Sequence, residues 1–145
     1  MDYVIRKATP LDIDKMRDLE SLCFDKSIRE NFDFVLNSND HIYLILEDKI
    51  NNSIVAYAGA SISYEQGDIL SVCVNSNFRK KGYASLVMGE LINVLKGKKV
   101  EKLFLEVEEE NKPAINLYLK LGFAQISIRK NYYGNKSAII MMKTL

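Results

Sequence analysis

The chain has 145 residues, 48% of them hydrophobic and 27% charged, with 2 prolines and 7 glycines. That composition argues against a disordered chain, and the length suits one domain with its own core. The 20 basic and 19 acidic residues leave a net charge of +1, so no global basic field for nucleic acid is expected, and no apolar run approaches the roughly 20 residues that cross a bilayer.

Met1 to Arg6 lack a basic region followed by an apolar stretch, so no signal peptide is expected. Tyr3 to Lys7 reads as an opening strand. Thr9-Pro10, a capping residue ahead of a proline, predicts a helix with Leu19, Leu22 and Cys23 on one face. A weaker helical pattern follows over 28–36. His41 to Glu47, Ile54 to Tyr64 and Ile69 to Val74 are β-rich runs separated by turn-forming residues, the pattern of an antiparallel meander. After a polar loop from Asn75 to Arg79, Gly82 opens a helix to about Lys96. Its Val87, Leu91, Val94 and Leu95 form an apolar stripe, and Gly97 stands where a C-terminal cap belongs.

Lys102 to Glu108 predicts another strand. Asn111 to Leu121 predicts a helix with Ala114, Leu117, Tyr118 and Leu121 on one face and Gly122 at its end. Phe123 to Arg129 and Ser137 to Lys143 are the last strands, joined by a loop over Asn131 to Lys136. The strand–loop–helix–strand passage in the middle requires a crossover and hence a parallel pair. The expected fold is α/β (α+β): one domain over 1–145, with a mixed, mostly antiparallel twisted sheet of six to seven strands. Its central parallel pair is splayed, and helices cover both faces.

The segment from Asn77 to Ala84 carries the sharpest chemical signal. It lies between a strand and a helix, where backbone amides are unpaired and the helix dipole adds positive character. Gly82 allows close backbone approach, Ala84 keeps the surface small, and Arg79, Lys80 and Lys81 add charge, a combination suited to a pyrophosphate. A basic loop that merely starts a helix accounts for the same residues. Neither the P-loop nor the GxGxxG pattern is present.

Cys23 and Cys73 show no metal or redox spacing, and the lone His41 offers neither a motif partner. Both are expected as free, buried thiols in a reducing cytoplasm. No metal is expected.

Arg79-Lys80-Lys81-Gly82-Tyr83-Ala84 resembles the [Q/R]-x-x-G-x-[G/A] coenzyme A loop of the GCN5-related (GNAT) N-acetyltransferases. The resemblance continues through Leu105-Glu106-Val107, Asn111, Ala114-Ile115-Asn116-Leu117-Tyr118 and Leu121-Gly122-Phe123. The closing Arg129-Lys130-Asn131-Tyr132-Tyr133 and Ala138-Ile139-Ile140-Met141 are similar to the RimI type, the ribosomal-protein alanine N-acetyltransferases. The chain departs from that type at Phe24-Asp25-Lys26-Ser27, which lacks the usual tryptophan, and at Asn135-Lys136-Ser137, where acidic residues are usual.

The resemblance implies acetyl-coenzyme A as co-substrate, held by Val72, Cys73 and Val74 through their main chain, by Arg79, Lys80, Lys81, Gly82, Tyr83, Ala84 and Ser85 at the diphosphate, and by Asn111. It makes Glu106 the general base for an acceptor ammonium and Tyr118 the general acid for the departing thiolate. From the residues alone, Glu106 is equally a strand-end glutamate, Tyr118 a core residue and Asn111 a helix cap. Glu108, with the acidic run Glu106 to Glu110, is expected to attract a cationic acceptor, and Tyr132 and Tyr133 to wall it. The implied acceptor is a peptide or protein N-terminus, in the family's usual case the terminal alanine of small-subunit ribosomal protein S18. A small amine or lysine side chain, and an inactive acyl-coenzyme A binding module, stand as alternatives. No nucleic-acid or membrane partner is expected.

Overall fold

The structure, a computed structural model, describes residues 2–24 and 29–145, with Tyr132 and Tyr133 described in their backbone alone. In chain order the elements are β1 (Tyr3–Lys7), a 3-10 turn (Pro10–Asp12), α1 (Ile13–Cys23), α2 (Phe32–Val35), β2 (His41–Asp48), β3 (Ser53–Ser63) and β4 (Gln66–Val74). A second 3-10 turn (Ser76–Phe78) then leads to α3 (Tyr83–Gly97), β5 (Lys102–Glu108), α4 (Lys112–Lys120), β6 (Ala124–Tyr133) and β7 (Lys136–Thr144). The strands form one sheet in the order β1-β2-β3-β4-β5-β7-β6. Every neighbouring pair is antiparallel except β4 and β5, which are parallel and joined through α3.

Alternation along β2 sorts the core into two layers. Ile42, Leu44 and Leu46 face a cluster with Val87, Leu91 and Leu95 of α3. Tyr43 and Ile45 face a second cluster with Met16 and Leu19 of α1 and Phe32 of α2. Helices therefore cover both faces of this part of the sheet. The Tyr43 ring packs so close to Gly59 on β3 that a Cβ there would overlap its ring atoms. Only glycine admits that ring.

The parallel pair is short, joining Gln66–Asp68 to Lys102–Phe104. Immediately beyond it, the register of β3 with β4 slips, so that Ala60 faces Ile69 but Gly59 faces Ser71, leaving Leu70 without an opposite residue. A bulge of this kind bends and twists its strand. It turns the end of β4 away from β5 and opens a fork between them.

Several sequence expectations need correction. Cys23 and Cys73 are not free thiols: they form a disulfide, with Cα atoms 6.0 Å apart, that ties the end of α1 to β4. This pairing was invisible in the spacing because the two residues are 50 positions apart, and it removes the free-thiol ground for expecting a reducing compartment. The buried face of α1 is Met16, Leu19 and Glu20, while Leu22 is exposed. The weaker helix reduces to the four residues of α2, and positions 25–28 lie outside the described residues. Gly97 belongs to α3 itself, and Lys99 takes the left-handed conformation that ends the turn. The last two strands run further than expected and meet in a tight turn at Gly134 and Asn135, which leaves no long loop.

Candidate active site

Gly82 caps α3 with a left-handed φ of 83° and no side-chain cap bond. The first bond of the helix is the Leu86 amide to the Gly82 carbonyl, so the amides of Tyr83, Ala84 and Ser85 have no partner within the helix. Space around Gly82 is open, with no heavy atom within 4 Å of where a Cβ would sit. Arg79, Lys80 and Lys81 are exposed beside it, and Arg79 anchors back to the Val74 carbonyl through Nε at 3.4 Å. Free amides, an open approach and three cations fit the diphosphate of a coenzyme A.

The fork between β4 and β5 opens into a cavity of about 430 Å³. Its walls include Ser71 and Val72 of β4, Glu106 and Glu108 of β5, and Asn111 and Tyr118 at the start and end of α4. Beyond the bulge, β4 has no strand on its β5 side, so its backbone is available to a ligand lying in the fork. The structure thus brings together Val72, Glu106, Glu108, Asn111 and Tyr118. Cys73 points the other way, into the α1 layer, so only its backbone can serve the fork. The side chains of Tyr132 and Tyr133 lie outside the described residues.

Asn111 accepts a hydrogen bond from the Ala114 amide at 3.3 Å, which starts α4, and its side-chain amide nitrogen remains for a ligand. Tyr118 packs edge-on against Phe123, with ring centroids 6.0 Å apart. Burial pushes its phenol above the ordinary value, so the hydroxyl keeps its proton through the neutral and mildly alkaline range.

The acidic run at the end of β5 is less free than its sequence suggests. Lys136 pairs with Glu108 at 3.1 Å and with Glu110 at 3.3 Å, and these partners raise its own pKa. Glu109 accepts from the Ser137 amide at 3.3 Å. Glu106 pairs with Arg129 of β6 at 3.0 Å. Of one wall, sequence reading had marked only Phe24, within the departure from the RimI type. Glu20, Phe24, Arg29 and Glu30 close the α1–α2 side of the cavity. Glu20 is held there by Arg17 at 2.9 Å and by the Glu30 amide at 2.8 Å. A buried glutamate on an otherwise apolar helix face was the available signal. A second cavity of about 590 Å³, lined by Asp68, Phe104, Arg129 and Ile140 among others, shares Ile69, Leu70, Leu105 and Glu106 with the first. No cluster of His, Cys, Asp or Glu suited to a metal occurs among the described residues, and no described helix is long and apolar enough to cross a membrane.

Comparison with known proteins agrees with this geometry. The model of the acetyltransferase (GNAT) family matches residues 12–123. A [ribosomal protein bS18]-alanine N-acetyltransferase of Haemophilus ducreyi is 34% identical over 112 residues, covering 74% of this chain and 77% of the relative. The crystal structure of the ribosomal-protein-S18-alanine N-acetyltransferase from Escherichia coli superposes with a TM-score of 0.89 at 24% identity, over 99% of this chain and 94% of that one. Arabidopsis thaliana NAA60 in complex with acetyl-CoA superposes with a TM-score of 0.84 at 19% identity, over 99% of each chain.

Proposed function

The chain belongs to the GNAT acetyltransferase family, and from that premise we propose that it transfers an acetyl group from acetyl-coenzyme A to the N-terminal α-amino group of a protein. The acceptor we favour is the terminal alanine of ribosomal protein S18, the substrate in the names of its relatives. The observation that carries this reading is the fork between β4 and β5, which sets Glu106 and Tyr118 on the walls of one cavity in a chain whose α3 also opens with unpaired amides.

The bound co-substrate supplies an activated thioester. Tyr83, Ala84 and Ser85 hold its diphosphate with their amides, with Arg79, Lys80 and Lys81 around them, while the open backbone of Val72 to Val74 and the Asn111 amide align its arm. An α-ammonium has a pKa of about 8 and must lose its proton before its nitrogen attacks. Glu106 takes that proton, and Tyr118 supplies one where the sulfur departs. No residue is acylated. Holding both reactants in one geometry accounts for most of the rate.

The test is to incubate the protein with acetyl-coenzyme A and a panel of N-terminal peptides, lysine peptides and polyamines, following thiol release and locating the acetyl group by mass spectrometry. Acetylation at the α-amino group is expected, and Glu106→Gln should lower kcat by about 10²-fold or more. Transfer confined to lysine side chains or polyamines overturns the acceptor assignment.

A further inference from the structure

We propose that Arg129 is a positioning residue for the acceptor's proton transfer, a guanidinium that reaches across a strand to hold one oxygen of Glu106 and fixes the carboxylate on the wall between the two cavities. The inference rests on the reading that Glu106 collects the proton.

Strand β6 does not pair with β5, because β7 lies between them. To reach Glu106, Arg129 must cross two strand spacings, roughly 9–10 Å, and shift by two residues, roughly 6–7 Å, along the strand direction. The reach is diagonal: Arg129 stands opposite Ala138, whose other neighbour is Glu108, whereas Glu106 stands opposite Ile140, two residues further along β7. Ala138, with a single methyl, adds little bulk beside the start of that path. The backbone of β6 is irregular on both sides of Arg129. Its register with β7 slips between Gln125 and Ser127 and again between Arg129 and Tyr133, where Asn131 takes a left-handed φ of 56°. Irregularities of this kind re-aim side chains.

The neighbouring acids are already assigned. Lys136 takes Glu108 and Glu110, and the Ser137 amide takes Glu109. Arg129 is the cation that pairs with Glu106, at 3.0 Å to Oε1. Glu106 borders both cavities, and Asp68 is the other acid in the second. An ion pair this exposed adds little to fold stability, so its consequence is orientation. A planar guanidinium holds a carboxylate in a way a flexible ammonium does not. Held from the Arg129 side, the carboxylate is kept at the cavity wall where an acceptor's proton would arrive.

The experiment measures steady-state and single-turnover acetylation of an N-terminal peptide by the wild type, Arg129→Ala, Arg129→Lys, Glu106→Gln and the double variant Arg129→Ala/Glu106→Gln, with folding checked by circular dichroism. Arg129→Ala should lower kcat about 10- to 100-fold, leave KM for acetyl-coenzyme A unchanged and be partly rescued in Arg129→Lys. In the Glu106→Gln background the same change should have no further effect, because its target is gone. Unchanged kcat in Arg129→Ala, or losses that multiply in the double variant, overturn the proposal. Should Arg129→Ala not fold, Arg129→Gln, which keeps part of the stem and removes the charge, carries the same test. Failure of the underlying reading has its own signature, full activity in Glu106→Gln alone.

Discussion

Strands β2 and β3 bury every residue from Ile42 to Leu46 and from Ile54 to Ala60, whereas β6 leaves Ile126 50% and Ile128 46% exposed. The first pair lies between α1 on one face and α3 on the other, and the chain is tied there by the Cys23–Cys73 disulfide. The second region, β5-β7-β6, buries Leu103, Leu105, Val107, Ile139 and Met141 on one face, and its other face carries charged side chains: Arg129 on Glu106 and Lys136 on Glu108 and Glu110. The bulge at Leu70 stands between them. A layer packed on both faces gives the coenzyme side a rigid frame, since close-packed interiors yield little. The open side keeps its polar groups within reach of an acceptor. The division predicts where substitutions register as stability and where they register as activity.

The largest stability loss is expected at the centre of the covered half. Leu91→Ala removes a fully buried side chain and should cost about 2–5 kcal/mol in urea unfolding. Reducing the disulfide, or replacing Cys73 with serine, releases a loop of 50 residues and should cost about 2–4 kcal/mol. A thermal midpoint that is the same with and without dithiothreitol would remove the bridge from this account.

Asp12 gives a pH-dependent effect. The Arg6 guanidinium, at 2.8 Å, holds its carboxyl below the usual carboxylate range, with help from the Thr9 amide. Because the folded pKa lies below the unfolded value of about 3.9, the contribution is complete at neutral pH and fades as pH falls through the folded value. Asp12→Asn should therefore cost about 1–3 kcal/mol at pH 7, a difference that closes on acidification in parallel unfolding curves.

The smallest effect is expected on the open side. Ile128→Thr should change stability by less than about 0.5 kcal/mol. A loss comparable to that of Leu91→Ala would mean that β6 is covered after all, and the comparison between the halves would fail.

Much of this was legible in order along the chain. The stripe Val87, Leu91, Val94, Leu95 marked α3 because an amphipathic helix repeats its apolar residues every three or four positions. Gly82 after three cations marked the helix start, and Leu105-Glu106-Val107 marked a strand with Glu106 turned from the core. The short parallel pair followed from connectivity. Less legible were the features set by distant partners: the Cys23–Cys73 bridge, the Glu20 and Glu30 wall, the reach of Arg129 across β7 to Glu106, and the extra length of β6 and β7, which depends on their pairing with each other.

The sequence by itself determined the order of elements and the mixed sheet, because periodicity, capping and crossover length are local properties of the chain; the candidate residues Glu106, Asn111 and Tyr118 came from the family resemblance. Only the tertiary structure decided that the bulge at Leu70 opens the fork, that the acids after β5 are taken up by β6 and β7, and that α1 is bonded to β4. Each of these depends on which strand lies beside which, a relation between segments far apart in the chain that no local pattern encodes.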